Sequence, residues 1–201
     1  MPSRTINGVT YTYTEHISSS TATIDGVTGY PSNFTIADGF DVGGGGDGYT
    51  VYFTKIGDSA FKNRTDINSV TISSRIQIIG DQAFNYCSNL STLTFSEGGP
   101  NLQSIGALAF SNCPITSIVI PTNLTTIGNG AFASCTSLSS VTFAPNSLCT
   151  NIGWTAFTDT AIASISIPSN VTQIGPNAFT DCDYLVAVVF ESGNQSINMS
   201  G

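Results

Sequence analysis

A single histidine, five cysteines, thirteen carboxylates and five basic side chains are the reactive groups this chain of 201 residues carries besides its hydroxyls. The bases all lie early, at Arg4, Lys55, Lys62, Arg64 and Arg75, and His16 precedes four of them. From Ile76 to Gly201 there is no Lys, Arg or His, so the usual general-base, Schiff-base and anion-clamp roles have no candidate there. The same stretch holds six acids, Asp81, Glu97, Asp159, Asp181, Asp183 and Glu191, and a formal charge of −6. Such a surface cannot neutralise phosphates, which argues against nucleic-acid binding and against attraction to anionic membranes. The expectation is a protein that is not an enzyme and needs no cofactor.

The remaining chemistry is a matter of spacing. Cys87, Cys113, Cys135 and Cys182 each stand three residues after a phenylalanine of one recurrent pattern, and Thr160 and Arg64 hold that place in two further copies. Equivalent places in stacked units form a column, which reads as small buried residues. Units about 4.8 Å apart also approach disulfide range, so a bridge stays open. The spacing is not the Cys-x-x-Cys of a metal site. Cys149 falls outside the column and reads as an exposed thiol. Asp58 and Asp81 share one repeat position and Asp159 and Asp181 another, with Asp183 close by. These are either solvated turn aspartates or, at Asp159, Asp181 and Asp183, weak oxygen ligands for Ca²⁺. Their place on a turn rather than in a cleft does not suit a glycosidase pair. The run Gly43-Gly44-Gly45-Gly46-Asp47-Gly48 lacks the Lys-Ser/Thr of a phosphate loop and reads as a flexible loop.

The pattern that sets this spacing is Ile-Gly-x-x-Ala-Phe. It occurs six times, at Ile56–Phe61, Ile79–Phe84, Ile105–Phe110, Ile127–Phe132, Ile152–Phe157 and Ile174–Phe179. The intervals between the phenylalanines are 23, 26, 22, 25 and 22 residues, a period that signals a solenoid. After each Phe comes apolar-x-x-apolar-x-apolar, as in Leu90-Leu93-Phe95 or Ile115-Ile118-Ile120, and its last positions alternate as a half-buried strand does. Pro121 and Pro168 end two of these strands. The glycine permits a tight corner, and x-x-Ala-Phe is expected as one turn of α or 3₁₀ helix. The longer intervals are insertions after the strand, at Ser96–Pro100 and Ala144–Ser147.

The run Ile118-Val119-Ile120-Pro121-Thr122-Asn123-Leu124-Thr125-Thr126-Ile127-Gly128-Asn129-Gly130-Ala131-Phe132-Ala133-Ser134-Cys135 resembles the unit of the BspA-like leucine-rich repeats. The resemblance extends over about residues 52–190. It implies a repeat solenoid of leucine-rich-repeat type: a curved parallel β-sheet, short helical turns on the convex side and an N-terminal β cap. It also implies surface proteins that bind other proteins or cells, although fold alone does not fix function.

Residues 1–51 do not repeat. Val9–Tyr13 and Thr21–Ile24 alternate like strands and read as a hairpin cap over the first coil. Residues 191–201 form a polar tail. The start lacks a signal-peptide stretch, which fits either a native start or a removed leader. The outward strand positions form a small, hydroxylated, uncharged face. Its central candidates for contact are Ser91, Thr92, Thr94, Thr116, Ser117, Val119, Ser139, Ser140 and Thr142, against the plain alternative of a solvated sheet face. In the last coil these positions become Val186, Ala187 and Val189, which suggests a cover: another subunit, a further region of chain or the tail. Two functions follow. One is an extracellular or surface-exposed adhesion module for a protein or glycan. The other is a structural component of a phage or virus particle or other extracellular assembly, docked through its C-terminal coil.

Overall fold

The computed structural model describes residues 1–29, 31–42, 49–96 and 101–192. The glycine run at 43–48, insertion residues 97–100 and tail residues 193–201 lie outside these described residues, as does Tyr30.

Alternating Val, Thr and Tyr residues build the N-terminal strands. β1 (Ser3–Ile6) and β2 (Val9–His16) pair antiparallel, and a 3₁₀ turn at Ile17–Ser19 leads β2 into β3 (Thr21–Thr28) as an antiparallel hairpin. The expected hairpin therefore forms, with more residues in each arm. Three further strands, β4 (Asn33–Thr35), β5 (Gly39–Val42) and β6 (Tyr49–Ile56), were not legible as strands in the sequence. β5 and β6 pair antiparallel, while β3 lies parallel to β6. Tyr11, Tyr13, Phe40 and Phe53 pack at centroid distances of 4.8 to 6.0 Å beneath them. β6 runs through residues 51 and 52, so the cap and the first coil share one strand.

Each coil then contributes two strands. In chain order they are β7 (Ser69–Ile72), β8 (Ile78–Ile79), β9 (Thr92–Phe95), β10 (Ser104–Ile105), β11 (Ser117–Ile120), β12 (Thr126–Ile127), β13 (Ser140–Phe143), β14 (Asn151–Ile152), β15 (Ser164–Ile167), β16 (Gln173–Ile174) and β17 (Ala187–Phe190). The two-residue strands end on the Ile of each Ile-Gly. They stack in parallel, β6-β8-β10-β12-β14-β16, and carry the cap sheet along the molecule. The four-residue strands form a second, broken parallel array.

The Ile-Gly glycines serve the contact between coils. A Cβ at Gly128 would lie 2.6 Å from the Gly106 carbonyl carbon, and one at Gly106 would lie 2.6 Å from the Asp81 nitrogen. Glycine is stacked on the coil below, where any side chain would collide.

The x-x-Ala-Phe segments are not helical, contrary to the sequence expectation. They are chained turns. Ala60, Lys62 and Arg64 donate back three residues, while Ser59, Phe61 and Asn63 donate to the carbonyls of Asp81, Ala83 and Asn85 in the next coil. Alternate N–H groups thus leave the coil, and a helix cannot spare them. The geometry places left-handed residues at two positions per coil, Ser59 and Asn63 in the first and Gln82 and Tyr86 in the second. Asn and Asp tolerate that region best among non-glycine residues. Asp159 and Asp181 hold the second position in the last two coils, with φ of 54° and 57°.

Inside, the six repeat phenylalanines stack as a column. Successive rings from Phe61 to Phe179 lie 4.6, 5.2, 5.4, 5.5 and 5.7 Å apart and within 10° of parallel. Phe34 of β4 continues the column into the cap, 5.9 Å from Phe61. Phe61, Phe84, Phe110, Phe132 and Phe157 are wholly buried, and Phe179 is half-buried. Burying each ring contributes about 1.5–3 kcal/mol, and no coil can achieve it alone.

Candidate binding face

Side chains at alternate positions of the four-residue strands turn outward, as the pleat requires. Thr92, Thr94, Thr116, Ser117, Val119, Ser139, Ser140 and Thr142 are exposed and Ser91 is half-buried. Thr92, Thr94, Ser117, Val119, Ser140 and Thr142 share the outward face of the strands, and Ser91, Thr116 and Ser139 stand just before them. The hydroxyls there bond to neighbouring coils: Thr71 Oγ1 lies 2.8 Å from Thr94 Oγ1, and Ser139 Oγ donates to the Thr116 carbonyl at 3.3 Å. Val119 stands out as an apolar residue, 59% exposed, in the middle of the hydroxyl columns.

The face is not continuous. β7 pairs β9, β11 pairs β13 and β15 pairs β17, but no ladder joins β9 to β11 or β13 to β15. The splits coincide with a difference of one N–H per coil. In the paired coils, the residue after the strand donates its N–H back to the coil below: Ser96 to Ile72, Ala144 to Ile120 and Glu191 to Ile167, at 2.9, 2.9 and 3.0 Å. At the two splits that residue is Pro121 or Pro168, which has no N–H to give. The strands meet at the start of the first split, where Thr116 N–H donates to the Ser91 carbonyl at 3.3 Å, and part beyond it.

Each split is a groove. The first, of about 380 Å³, is floored by Leu93, Phe95, Ile118 and Pro121 with Val119 on its lip. The second, of about 400 Å³, is lined by Val141, Phe143, Ser164 and Ser166, with Glu191 at its edge. Phe95 and Phe143 remain half-buried, while their counterparts Ile72, Ile120 and Ile167 are fully buried. Sequence reasoning read the prolines as strand ends and missed the grooves, because a groove depends on a carbonyl in the neighbouring coil.

The cysteine column is structural. The thiols of Cys87, Cys113, Cys135 and Cys182 donate to the carbonyls of Phe61, Phe84, Phe110 and Phe157, each the phenylalanine of the preceding coil, at 3.1 Å. Thr160 instead donates to the carbonyl of its own coil's Phe157, three residues back, at 2.9 Å. All five cysteines are unbridged. Cys149, expected to be exposed, is completely buried, with its thiol directed to the Asn151 carbonyl at 3.7 Å. Cys149 stands three residues before the Ile of its Ile-Gly, the place that Ile76, Leu102, Leu124 and Val171 fill in other coils, and like them it faces inward. Burial pushes the thiols of Cys135 and Cys149 up to about 12 and about 11, while the neighbouring Cys87 thiol, with burial second, pushes that of Cys113 upward.

The aspartates serve the stacking. Asp58 Oδ1 accepts the Asp81 N–H at 3.1 Å, and Asp81 Oδ1 accepts the Ala107 N–H at 2.7 Å. Asp159 and Asp181 occupy left-handed turn positions, and Asp183 is exposed beyond them. Among the described residues, no three His, Cys, Asp or Glu side chains come together as metal ligands. No helix of the described residues is long and apolar enough to cross a membrane.

At the far end the last coil is bare. Val186 is 88% exposed, Val189 54% and Phe190 41%, and Ala187 is half-buried. Asn177, Phe179 and Asp181 stand where earlier coils donate N–H groups to a following one.

A solenoid of strand-and-turn coils, stacked on a phenylalanine column and presenting a hydroxylated strand face, is the architecture of a leucine-rich repeat protein. The chain belongs to the BspA-type leucine-rich repeat family, whose region it matches in six copies over residues 54–198. Repeat proteins of this kind generally act as binding modules rather than enzymes. Among solved structures, it is similar to the T. pallidum leucine-rich repeat protein TpLRR at 25% identity and a TM-score of 0.78, covering 89% of this chain and 78% of that one. A leucine-rich cell surface protein from Faecalibacterium prausnitzii aligns at 29% identity and a TM-score of 0.63, covering 94% of this chain and 55% of that one. The pneumococcal vaccine antigen PcpA shares the fold at 24% identity and a TM-score of 0.72, covering 96% of this chain and 51% of that one. The chain thus spans about half the length of the last two. No curated protein matches it.

Proposed function

We propose that the chain is a non-enzymatic adhesion module, displayed outside the cell or on a surface, that engages a protein or glycan through its strand face. The observation that carries this reading is the face itself: hydroxylated, with Glu191 as the charged residue in its groove linings, and opened by two grooves lined by the half-buried Phe95 and Phe143. The likeness to a cell surface protein of Faecalibacterium prausnitzii supports the surface setting. Ser91, Thr92, Thr94, Thr116, Ser117, Val119, Ser139, Ser140 and Thr142 make the contact. The test compares the native protein with a Val119→Lys, Thr142→Lys double variant in binding to host-cell surfaces and to a glycan array. The expected result is retention by the native protein and about tenfold weaker retention by the variant. Equal retention would reject the strand face.

A second reading rests on the other end. The bare Val186, Ala187 and Val189 suit a structural component of a phage or virus particle, or of another extracellular assembly, docked through the last coil. An edge strand without charge or proline is a template for another chain. Light scattering of the purified chain tests this: association that Val186→Lys and Val189→Lys abolish supports it, and a monomer at all concentrations counts against it.

A further inference from the structure

The first residue after each Ile-Gly stands at the contact with the next coil. Along the molecule that column reads Asp58, Asp81, Ala107, Asn129, Trp154 and Pro176. Where it holds a side-chain oxygen, the oxygen accepts the N–H of the next member. Asp58 accepts from Asp81 at 3.1 Å, Asp81 from Ala107 at 2.7 Å and Asn129 from Trp154 at 3.0 Å. Trp154 is followed in the column by Pro176, which has no N–H to give. Ala107 shows that the column also accepts a methyl group. Stacking therefore asks nothing of the side chain at 154, and the chain places its single tryptophan there.

That tryptophan is not part of the core. It is 58% exposed. Its indole is seated on the backbone of the next coil, where a Cβ at Gly175 would collide with Trp154 Cδ1. Among the described residues the indole N–H has no protein acceptor. The Asn129 Oδ1 is engaged by the Trp154 backbone N–H, which leaves the amide NH₂ of Asn129 as a donor beside the ring.

The surroundings decide the ligand class. Three stacked coils meet here, at residues 125–130, 150–155 and 172–177, and none of these segments holds a charged residue or a histidine. Asn129, Gln173 and Asn177 are exposed amides within them. The segments expose no second apolar side chain: Ile127, Ile152 and Ile174 are buried and Pro176 is half-buried. A protein partner draws on a cluster of apolar and charged anchors, which this patch lacks. A sugar draws on one ring. A pyranose has C–H groups on its face and hydroxyls around its rim. Tryptophan offers an apolar face with an N–H at its edge, and amides both donate to and accept from hydroxyls.

We propose that Trp154 and the Asn129 amide form a binding site for an uncharged glycan, one pyranose ring of which stacks on the indole. The site lies outside the grooved strand face, and the inference stands without that face.

Tryptophan emission reports on this site alone, because the chain has one tryptophan. The probes are cellopentaose, maltopentaose and N-acetyllactosamine, each titrated into the native chain to tens of millimolar. The expected result is a saturable blue shift with at least one of them. Calorimetry with that sugar then compares variants. Trp154→Asn, which copies Asn129, should bind at least about tenfold more weakly, as loss of a tryptophan anchor does. Trp154→Phe, which keeps a ring, should retain more binding than Trp154→Asn. Val119→Lys, on the strand face, should bind as the native protein does. An unchanged melting temperature shows that each variant keeps the fold.

No shift with any of the probes overturns the proposal, as does native affinity in Trp154→Asn. A shift that saturates with tetramethylammonium at lower concentration than with any sugar overturns it in favour of a cation–π site. Sugar binding lost in Val119→Lys and kept in Trp154→Asn overturns it and leaves the strand face standing.

Discussion

A buried thiol has a thermodynamic signature that an exposed one lacks. In the unfolded chain a cysteine ionises near 9.0, whereas burial pushes Cys135 up to about 12 and Cys149 up to about 11. Below pH 9 both states hold the proton and stability does not depend on these groups. Above it the unfolded chain loses protons that the folded chain retains, so stability falls by about 1.4 kcal/mol per pH unit per thiol until the folded value is passed. Urea midpoints measured between pH 8 and pH 11 should therefore decline. Cys135→Thr, which copies Thr160 in the adjacent coil, should flatten the decline by the share of one thiol. An unchanged slope in that variant would remove Cys135 from the buried set. The phenylalanine column gives the complementary test by truncation. Phe132 stacks on Phe110 at 5.4 Å and on Phe157 at 5.5 Å, with no exposure. Phe132→Ala should cost about 3–5 kcal/mol in denaturant unfolding. A loss under about 1 kcal/mol would mean that the ring does not carry the stack.

The coil was legible in the sequence and the relation between coils was not. Four invariant letters per unit disclosed the column of rings, the column of thiols and the outward hydroxyls, because each follows from residue type at a fixed place in the period. Three features escaped for a common reason. The x-x-Ala-Phe turn resembles a helical turn in composition, yet its alternate N–H groups go to the next coil. Cys149 lies outside the thiol column, three residues before the Ile of its Ile-Gly, yet that place faces inward in the neighbouring coils too. Pro121 and Pro168 mark strand ends in any sequence, yet their effect is to withhold a hydrogen bond from Phe95 and Phe143 one coil away. The last point can be checked directly. Pro121→Ala supplies an N–H opposite the Phe95 carbonyl, in the position that Ala144 occupies opposite Ile120. By hydrogen exchange the new amide should be protected at least about tenfold relative to an unstructured peptide. Exchange at the unprotected rate would show that the split has another cause. Net stability should move by under about 1 kcal/mol, since the gained bond is offset by the unfolded-chain entropy that proline had removed.

At the scale of the whole molecule, a solenoid is held by neighbours, and its stability is a sum of coil and interface contributions. The two ends differ. At the start, the cap continues the sheet, its outermost strand carries Arg4, and Arg4 lies 5.2 Å over Phe40 while donating to the Asp41 carbonyl. At the finish, Phe179 has among the described residues a ring neighbour on one side, Phe157, and Val186 to Phe190 form an uncharged edge. Interior coils have two interfaces to lose on opening, and the last described coil has one. Opening should therefore begin there. Native-state hydrogen exchange should show the amides of Ala187–Phe190 exchanging well before those of Ser140–Phe143, and Phe179→Ala should cost less than half as much as Phe132→Ala. Equal protection along the chain would mean that the last coil is covered in solution. A concentration series then separates the covers: protection that grows with protein concentration assigns the cover to a second copy, and protection independent of it assigns the cover to the same chain.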